Sequence, residues 1–306
     1  MPLPPLLVGH SLLAKLSWEE ASSLRVWTLA DSQAYCRRLT CTHYENFTVA
    51  SWFLPRELRQ PFADLYAYCR WADDLADEFG DASGSVELLD WWQGQLEACW
   101  HGQAEHPVFI ALGESQRRFQ LSKQPFLDLL AAFRRDQVQT RYATWDELRA
   151  YCRGSANPVG RLVLELARCR SDRLDHWSDA ICTGLQIANF CQDVALDARR
   201  GRIYLPREVR DRYECVDEDF AGNIATDRLR GVVRECVQVA SQSLEEGRPL
   251  LDEVPRWLRR DLRLFLEGGH AILQVIARRG YDVWSERPRV GRLTKLKLVA
   301  RALLAT

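Results

Sequence analysis

Two stretches of this chain place oxygen-bearing side chains four residues apart within apolar, helix-forming sequence. The first is Arg70-Trp71-Ala72-Asp73-Asp74-Leu75-Ala76-Asp77-Glu78; the second runs from Gln186 to Asp197 and carries Asn189, Asp193 and Asp197. On a helix, positions i and i+4 share a face, so Asp73 and Asp77 form one carboxylate stripe and Asn189, Asp193 and Asp197 another. Like charges stacked in this way repel unless cations bridge them. Hard divalent cations, Mg²⁺ above all, take oxygen ligands and share them with substrate phosphates. The two stripes together point to chemistry on a diphosphate. Read singly, the first is equally a solvated acidic face. The second is harder to dismiss, because Leu185, Ile187, Ala188 and Phe190 beside it are core types, and polar groups in a buried helix need partners.

Basic residues accompany both. Arg70 lies one turn before Asp73, where it either pairs with the carboxylates or meets phosphate oxygens. Arg199-Arg200-Gly201-Arg202 follows the second stripe and either holds an anionic head group or complements the helix C-terminus.

The elements that must position these groups are helices. Helical periodicity runs nearly throughout, and the Val/Ile/Thr alternation of strands hardly occurs. The pattern predicts helices over about 31–41, from Pro61 as a first-turn residue to Glu78, and over about 85–101, 107–120, 125–139, 144–154, 158–170, 174–200, 224–250, 255–279 and 290–304. The connectors, such as Asp81-Ala82-Ser83-Gly84 and Gly154-Ser155-Ala156-Asn157-Pro158, are too short for interdomain linkers. One all-α domain over 1–306 follows, with 1–30 peripheral.

Composition narrows the class. The chain has 306 residues, 47% of them hydrophobic and 27% charged, which is ordinary for a globular protein. A net charge of −1 gives no basis for nucleic-acid binding. Ten cysteines without a CxxC pair or zinc-like Cys/His spacing favour a reduced, cytoplasmic protein. There is no apolar run of about 18 residues, so no transmembrane helix is expected. Met1–His10 lacks a basic n-region and is broken by prolines, unlike a signal peptide. Ser285–Thr306 carries Arg287, Arg289, Arg292, Lys295, Lys297 and Arg301 against Glu286 alone, together with apolar Leu293, Leu296, Val299, Ala300, Leu303 and Leu304. Such a basic amphipathic helix either contacts an anionic membrane peripherally, at its inner face, or packs as a final helix with a solvated face.

Taken in order, the motifs resemble the squalene/phytoene synthase family. The likeness runs from about His43 to the C-terminal helix. It rests on Asp73-xxx-Asp77 after Arg70, on Tyr151-Cys152-xx-Ser155-Ala156-xx-Val159-Gly160, and on Asn189-xxx-Asp193-xxx-Asp197 followed by Arg202-Ile203-Tyr204-Leu205-Pro206. Within that family, His43-Tyr44-Glu45-Asn46-Phe47-Thr48-Val49-Ala50-Ser51, Ala72 to Glu78 and Ser155 to Gly160 look like the bacterial hydroxysqualene synthases, the HpnC branch. The resemblance implies an isoprenoid synthase-type helical bundle with a central cavity. It implies ionisation of presqualene diphosphate, made by a sister enzyme, and capture of the cation by water. The hydroxysqualene formed would pass to a reducing flavoprotein in a hopanoid-type pathway.

The same resemblance implies two or three Mg²⁺ ions held by Asp73, Asp77, Asn189, Asp193 and Asp197, with no NADPH. It makes Arg70 and Arg202 phosphate partners and sets His43 and Asn46 near the diphosphate. Tyr204 belongs to the substrate-binding motif. Phe47, Tyr66, Trp71, Tyr151 and Phe190 are candidates for facing the carbocation, since aromatic faces stabilise cations by about 0.5–2 kcal/mol. Tyr151 either positions water or a proton acceptor or is a core tyrosine, and Asp136 matches an acidic family position. Two departures remove positive charge: Gln192 stands where many relatives have a basic residue, and Tyr44-Glu45-Asn46 replaces a Ser/Lys-containing stretch. Both fit a site handling one diphosphate. The alternatives are head-to-head condensation of two farnesyl diphosphates, and a non-catalytic prenyl-lipid-binding or assembly subunit.

Overall fold

The computed structural model describes residues 26–42, 54–77, 82–221 and 224–304. His43, Asn46 and Phe47 lie outside them. The described residues form helices joined by short connectors, with no strand longer than an isolated bridge between Arg141 and Ile203. The chain divides into two compact units, Met1–Val138 and Gln139–Thr306.

The first unit holds α1 (Leu29–Thr42), α2 (Arg56–Asp77), α3 (Ala82–Trp100), α4 (Pro107–Phe119) and α5 (Gln124–Asp136). α2 packs against the other four. Two buried polar tips fix it: Tyr68 Oη donates to the Phe126 carbonyl at 2.9 Å, and Trp71 Nε1 donates to Tyr35 Oη at 2.9 Å. α2 begins at Arg56, before the start expected at Pro61, which sits inside the helix. A proline there forfeits one i→i−4 hydrogen bond. Pro61 is buried, and that packing helps the helix run through it.

The second unit holds α6 (Trp145–Ser155), α7 (Asn157–Leu166), α8 (Asp172–Arg199), α9 (Arg207–Arg212), α10 (Asp227–Glu246), α11 (Leu250–Glu253), α12 (Arg256–Arg278) and α13 (Arg292–Leu304). α9 and α11 are too short to show periodicity, and the sequence reading omits α9. α7 stops at Leu166, short of the expected 170, because Arg168 turns left-handed at φ 54°. α8 starts on the Ser171 hydroxyl, which accepts from the Leu174 N–H at 3.4 Å. Its apolar face, Ile181, Gly184, Ile187, Ala188, Cys191 and Val194, is buried chiefly against α10. A Cβ on Gly184 would lie 2.9 Å from Leu244 Cγ, and one on Gly269 2.9 Å from both Leu185 Cδ2 and Leu244 Cδ1. Only glycine lets α8, α10 and α12 close around Leu244 in this way. The long α8 is the rail on which the second oxygen stripe is mounted.

Candidate functional site

On α2, Asp73 is half-exposed whereas its neighbour Asp74 is 5% exposed. Arg70 belongs mainly to Asp74: its Nε donates to Asp74 Oδ2 at 3.2 Å and its Nη2 to Asp74 Oδ1, while Nη1 reaches Asp73 Oδ2 at 3.3 Å. The guanidinium is thus oriented by a buried carboxylate and turned towards the exposed one. Asp74 is a site residue that the i/i+4 reading passed over. Asp77 ends α2, with its side chain outside the described residues. The Ala76 carbonyl at that end accepts from Ser85 Oγ and Gln137 Nε2, each at 3.1 Å, which ties the end of α2 to α3 and to the end of α5. Trp71 is stacked on Trp92 at 5.2 Å and is 1% exposed, so it serves the unit's core. Tyr66 is partly buried near Arg70, Asp74 and Asp73, and burial raises its phenol pKa above the ordinary value.

On α8 the stripe turns away from the buried face. Asn189 is exposed, contrary to its reading as an oxygen ligand within buried helix, and Asp193 and Asp197 are partly buried. The Asp197 carboxyl is pushed up to about 7, first by burial and then by the Asp193 charge, against the opposing pull of Arg200, Arg202 and Arg287. A carboxylate held short of compensating charge in this way suits a divalent cation, and the all-oxygen donor set of Asn189, Asp193 and Asp197 suits Mg²⁺. Among the described residues, no three His, Cys, Asp or Glu side chains gather closely enough to hold a metal by themselves. Any ion here would need the Asn189 oxygen, water or phosphate to complete its shell.

Past α8, Gly201 adopts φ 77° and the Arg202 N–H returns to the Asp197 carbonyl at 2.9 Å, reversing the chain. The segment then runs beside 140–143. Ile203 N–H donates to Thr140 O, and Arg207 and Glu208 N–H donate to Tyr142 and Ala143 O, each at 2.9 Å. This pairing stacks Tyr204 on Phe190, with centroids 4.1 Å apart and planes 8° apart, and on Tyr142 at 5.7 Å. Tyr151 lies 6.0 Å from Phe190 and 5.8 Å from Tyr204. Phe190, Tyr204, Asp197 and Arg202 line one small pocket. In the second unit the structure therefore brings together the end of the oxygen stripe, the basic turn and three of the expected aromatics. Tyr142 joins them without any sequence signal.

Arg287, one of several cations in the basic C-terminal segment, belongs to this site without a sequence signal that singles it out. Its Nη2 donates to Asp193 Oδ2 at 3.0 Å and its Nε to Asp193 Oδ1. Gln192, read as a loss of positive charge, donates to the Pro288 carbonyl at 2.7 Å. The charge missing at 192 is thus returned to Asp193 by Arg287, and Gln192 gives no support for a site with reduced positive charge.

The sequence pattern describing squalene/phytoene synthases matches residues 40–294. A phytoene synthase from Arthrospira platensis is 33% identical over 294 residues, 90% of this chain and 94% of that protein. A hydroxysqualene synthase from Rhodopseudomonas palustris is 37% identical over 228 residues, 73% of this chain and 74% of the relative. The crystal structure of squalene synthase HpnC from Alicyclobacillus acidocaldarius superposes with a TM-score of 0.79 at 44% identity, covering 83% of this chain and 95% of that one.

Proposed function

The chain belongs to the squalene/phytoene synthase family, and on that premise we propose that it is a Mg²⁺-dependent hydroxysqualene synthase. The reaction breaks the carbon–oxygen bond of presqualene diphosphate, and the cyclopropylcarbinyl cation then opens a ring carbon–carbon bond as water adds, giving hydroxysqualene, diphosphate and a proton. It is redox-neutral and needs no NADPH. The observation that carries this reading is the shared pocket of Asp197, Arg202, Phe190 and Tyr204. There the acidic end of the stripe and the basic turn border a buried aromatic stack, an arrangement that suits a diphosphate edge beside an apolar wall. The likeness to the Rhodopseudomonas hydroxysqualene synthase supports water as the nucleophile.

In this reading Asp73 and Asp77 on α2, and Asn189, Asp193 and Asp197 on α8, supply oxygen ligands. Bound Mg²⁺ would neutralise the departing diphosphate and so lower the barrier to ionisation. Arg70, held by Asp74, presents a directed guanidinium to phosphate oxygens. Arg202 does the same from the turn after α8, and His43 and Asn46 complete the diphosphate contacts. Tyr204 and Phe190, stacked on each other, stiffen the apolar wall, and Tyr151 packs at their side. Phe47 is the further aromatic candidate. The two units act as one catalytic domain, which is supported by the family pattern running across residue 138.

Condensation of two farnesyl diphosphates is the second reading. The phytoene synthase likeness over 90% of the chain favours it, as does the positive charge that Arg287 brings to Asp193. Incubating the protein with Mg²⁺ and either presqualene or farnesyl diphosphate, without NADPH, separates the two. Hydroxysqualene from presqualene diphosphate alone supports the first reading. Presqualene diphosphate or phytoene-like hydrocarbon formed from simple allylic diphosphates overturns it.

Among the described residues no helix is long and apolar enough to cross a membrane. α13 nevertheless exposes Leu293 at 76% and Leu296 at 65% beside Arg292, Lys295, Lys297 and Arg301. This helix suits peripheral contact with an anionic lipid surface, where an apolar substrate and product are exchanged with enzymes before and after this step. Sedimentation with anionic vesicles, compared with zwitterionic ones, tests it.

A further inference from the structure

Two adjacent residues of α8 hold two adjacent residues of the segment that follows α12. Gln192 Nε2 donates to the Pro288 carbonyl at 2.7 Å, and Asp193 accepts both arms of the Arg287 fork. The segment is stiff where it is held. Proline fixes its own φ, and the residue before a proline is confined largely to extended backbone. A weaker, exposed contact lies upstream, where Arg279 at the end of α12 donates to Glu286 at 3.1 Å. Glu286, Arg287 and Pro288 therefore form a strap, tied on one side to α12 and on the other to α8. The Gln192–Pro288 tie holds the backbone beside Arg287, from which its guanidinium reaches Asp193.

The fork has a consequence for cations. Both Asp193 oxygens accept from Arg287, so the guanidinium takes one lone pair on each oxygen and sets a positive charge beside the remaining ones. A divalent cation drawn to the same carboxylate meets the guanidinium's positive charge and shares its acceptor oxygens, so the two compete. The pair is also accessible, with Arg287 41% and Asp193 25% exposed at their side chains. Exposed pairs of this kind are weak. The contact is strong enough to bias the site and weak enough to yield.

Resting on the reading of α8 as a metal-holding stripe, we propose that Arg287 is the resident counter-cation of Asp193. It leaves before a divalent ion is held there, and Gln192 is the positioning residue that keeps it in place through Pro288. The stripe is then discouraged from collecting stray cations when no diphosphate is present. A diphosphate arriving with the metal offers the released guanidinium a new bidentate acceptor. Gln192 thereby has a role that a basic residue at that position would not perform: its neutral amide reaches a backbone carbonyl, which a charged side chain beside Asp193 would exchange for the carboxylate.

The test is Mn²⁺ binding to the purified full-length chain, followed by electron paramagnetic resonance, without substrate and then with inorganic pyrophosphate. Arg287→Gln is expected to bind Mn²⁺ about fivefold more tightly than the unaltered protein when no pyrophosphate is present. Gln192→Ala is expected to shift affinity the same way by about twofold. The double variant is expected to match Arg287→Gln alone, since Gln192 acts only through Arg287. Arg287→Lys, which keeps the charge but loses the fork, falls between and serves if Arg287→Gln fails to fold. Unchanged Mn²⁺ affinity in the Arg287 variants, or additive effects in the double variant, would overturn the proposal while leaving the metal reading intact. Absence of Mn²⁺ binding in every variant, with and without pyrophosphate, would overturn the metal reading and this inference with it.

Discussion

On α2 the positive charge that balances the carboxylates is written into the same helix: Arg70 pairs with Asp74 at i+4 and reaches Asp73 at i+3. On α8 the balancing charge comes from Arg287, 94 residues further along the chain. The two acidic helices look alike in sequence, yet one settles its electrostatics locally and the other through tertiary structure. In α2 the buried Asp74 absorbs the structural ion pair and leaves Asp73 half-exposed. In α8 no residue divides the labour in that way, so Asp193 carries a structural contact and is also the leading ligand candidate. Two helices with the same chemistry can thus differ in whether stability and function rest on separate residues or on one.

This difference can be broken most forcefully at the carboxylates. Asp193→Ala and Asp73→Ala should each lower turnover of presqualene diphosphate by about 10³-fold or more, measured as diphosphate release under saturating Mg²⁺, because each removes a ligand from the group that neutralises the leaving charge. Asp74→Ala should act differently. It strands the half-buried Arg70 guanidinium without its principal partner, and removing one member of a largely buried pair costs about 2–3 kcal/mol in urea unfolding. If Asp73→Ala were the destabilising change and Asp74→Ala the silent one, the division of labour drawn for α2 would be reversed. A smaller effect is expected at the aromatic wall. Tyr204→Leu keeps most of the apolar volume but removes a ring face next to Phe190, and should lower kcat about tenfold with little change in KM.

The asymmetry also explains what could be read without a structure. Both stripes, the long helices beneath them and the basic turn at Arg199–Arg202 follow from spacing alone, since helix periodicity is local. The exposed side of the second stripe did not follow. Asn189 sits next to Ala188 and Phe190, both buried, and apolar neighbours in sequence say little about the opposite face. Arg287 was one of six basic residues in its segment, and nothing in that run marks which one is aimed at Asp193. The Gln192–Pro288 tie, which exists only once the segment after α12 has packed on α8, brings Arg287 beside Asp193. Tyr142 is invisible for the same reason, being set against Tyr204 by a short pairing of backbone segments. The Ser155–Gly160 motif was recognised as a family signature, and part of its work is structural. Asn157 Oδ1 accepts from Thr183 Oγ1 at 3.1 Å, and a Cβ on Gly160 would fall 2.3 Å from Ser178 Oγ, so the motif sets how closely α7 meets α8.

The finest test of the contrast is electrostatic. In metal-free protein the Asp197 carboxyl is pushed up to about 7, with burial the first cause and the Asp193 charge the second. In the unfolded chain it titrates near the ordinary aspartate value of about 3.9. Between those values the folded state holds a proton that the unfolded state has released, so the unfolded state binds fewer protons and stability falls as pH rises. The stability linked to this group is fully present below about pH 4, is lost progressively up to about pH 7, and changes no further above it. Because Asp197 is only partly buried, solvent screening cuts the effect to about 1 kcal/mol across that window. Urea unfolding at several pH values in a chelator should show the decline. Asp197→Asn, which cannot ionise, should remove its share, and Mg²⁺ with pyrophosphate should flatten it by favouring the charged carboxylate. An Asp197→Asn profile as steep as that of the unaltered protein would mean that α8 has no unmet charge at this position, and that the two acidic helices are balanced alike after all.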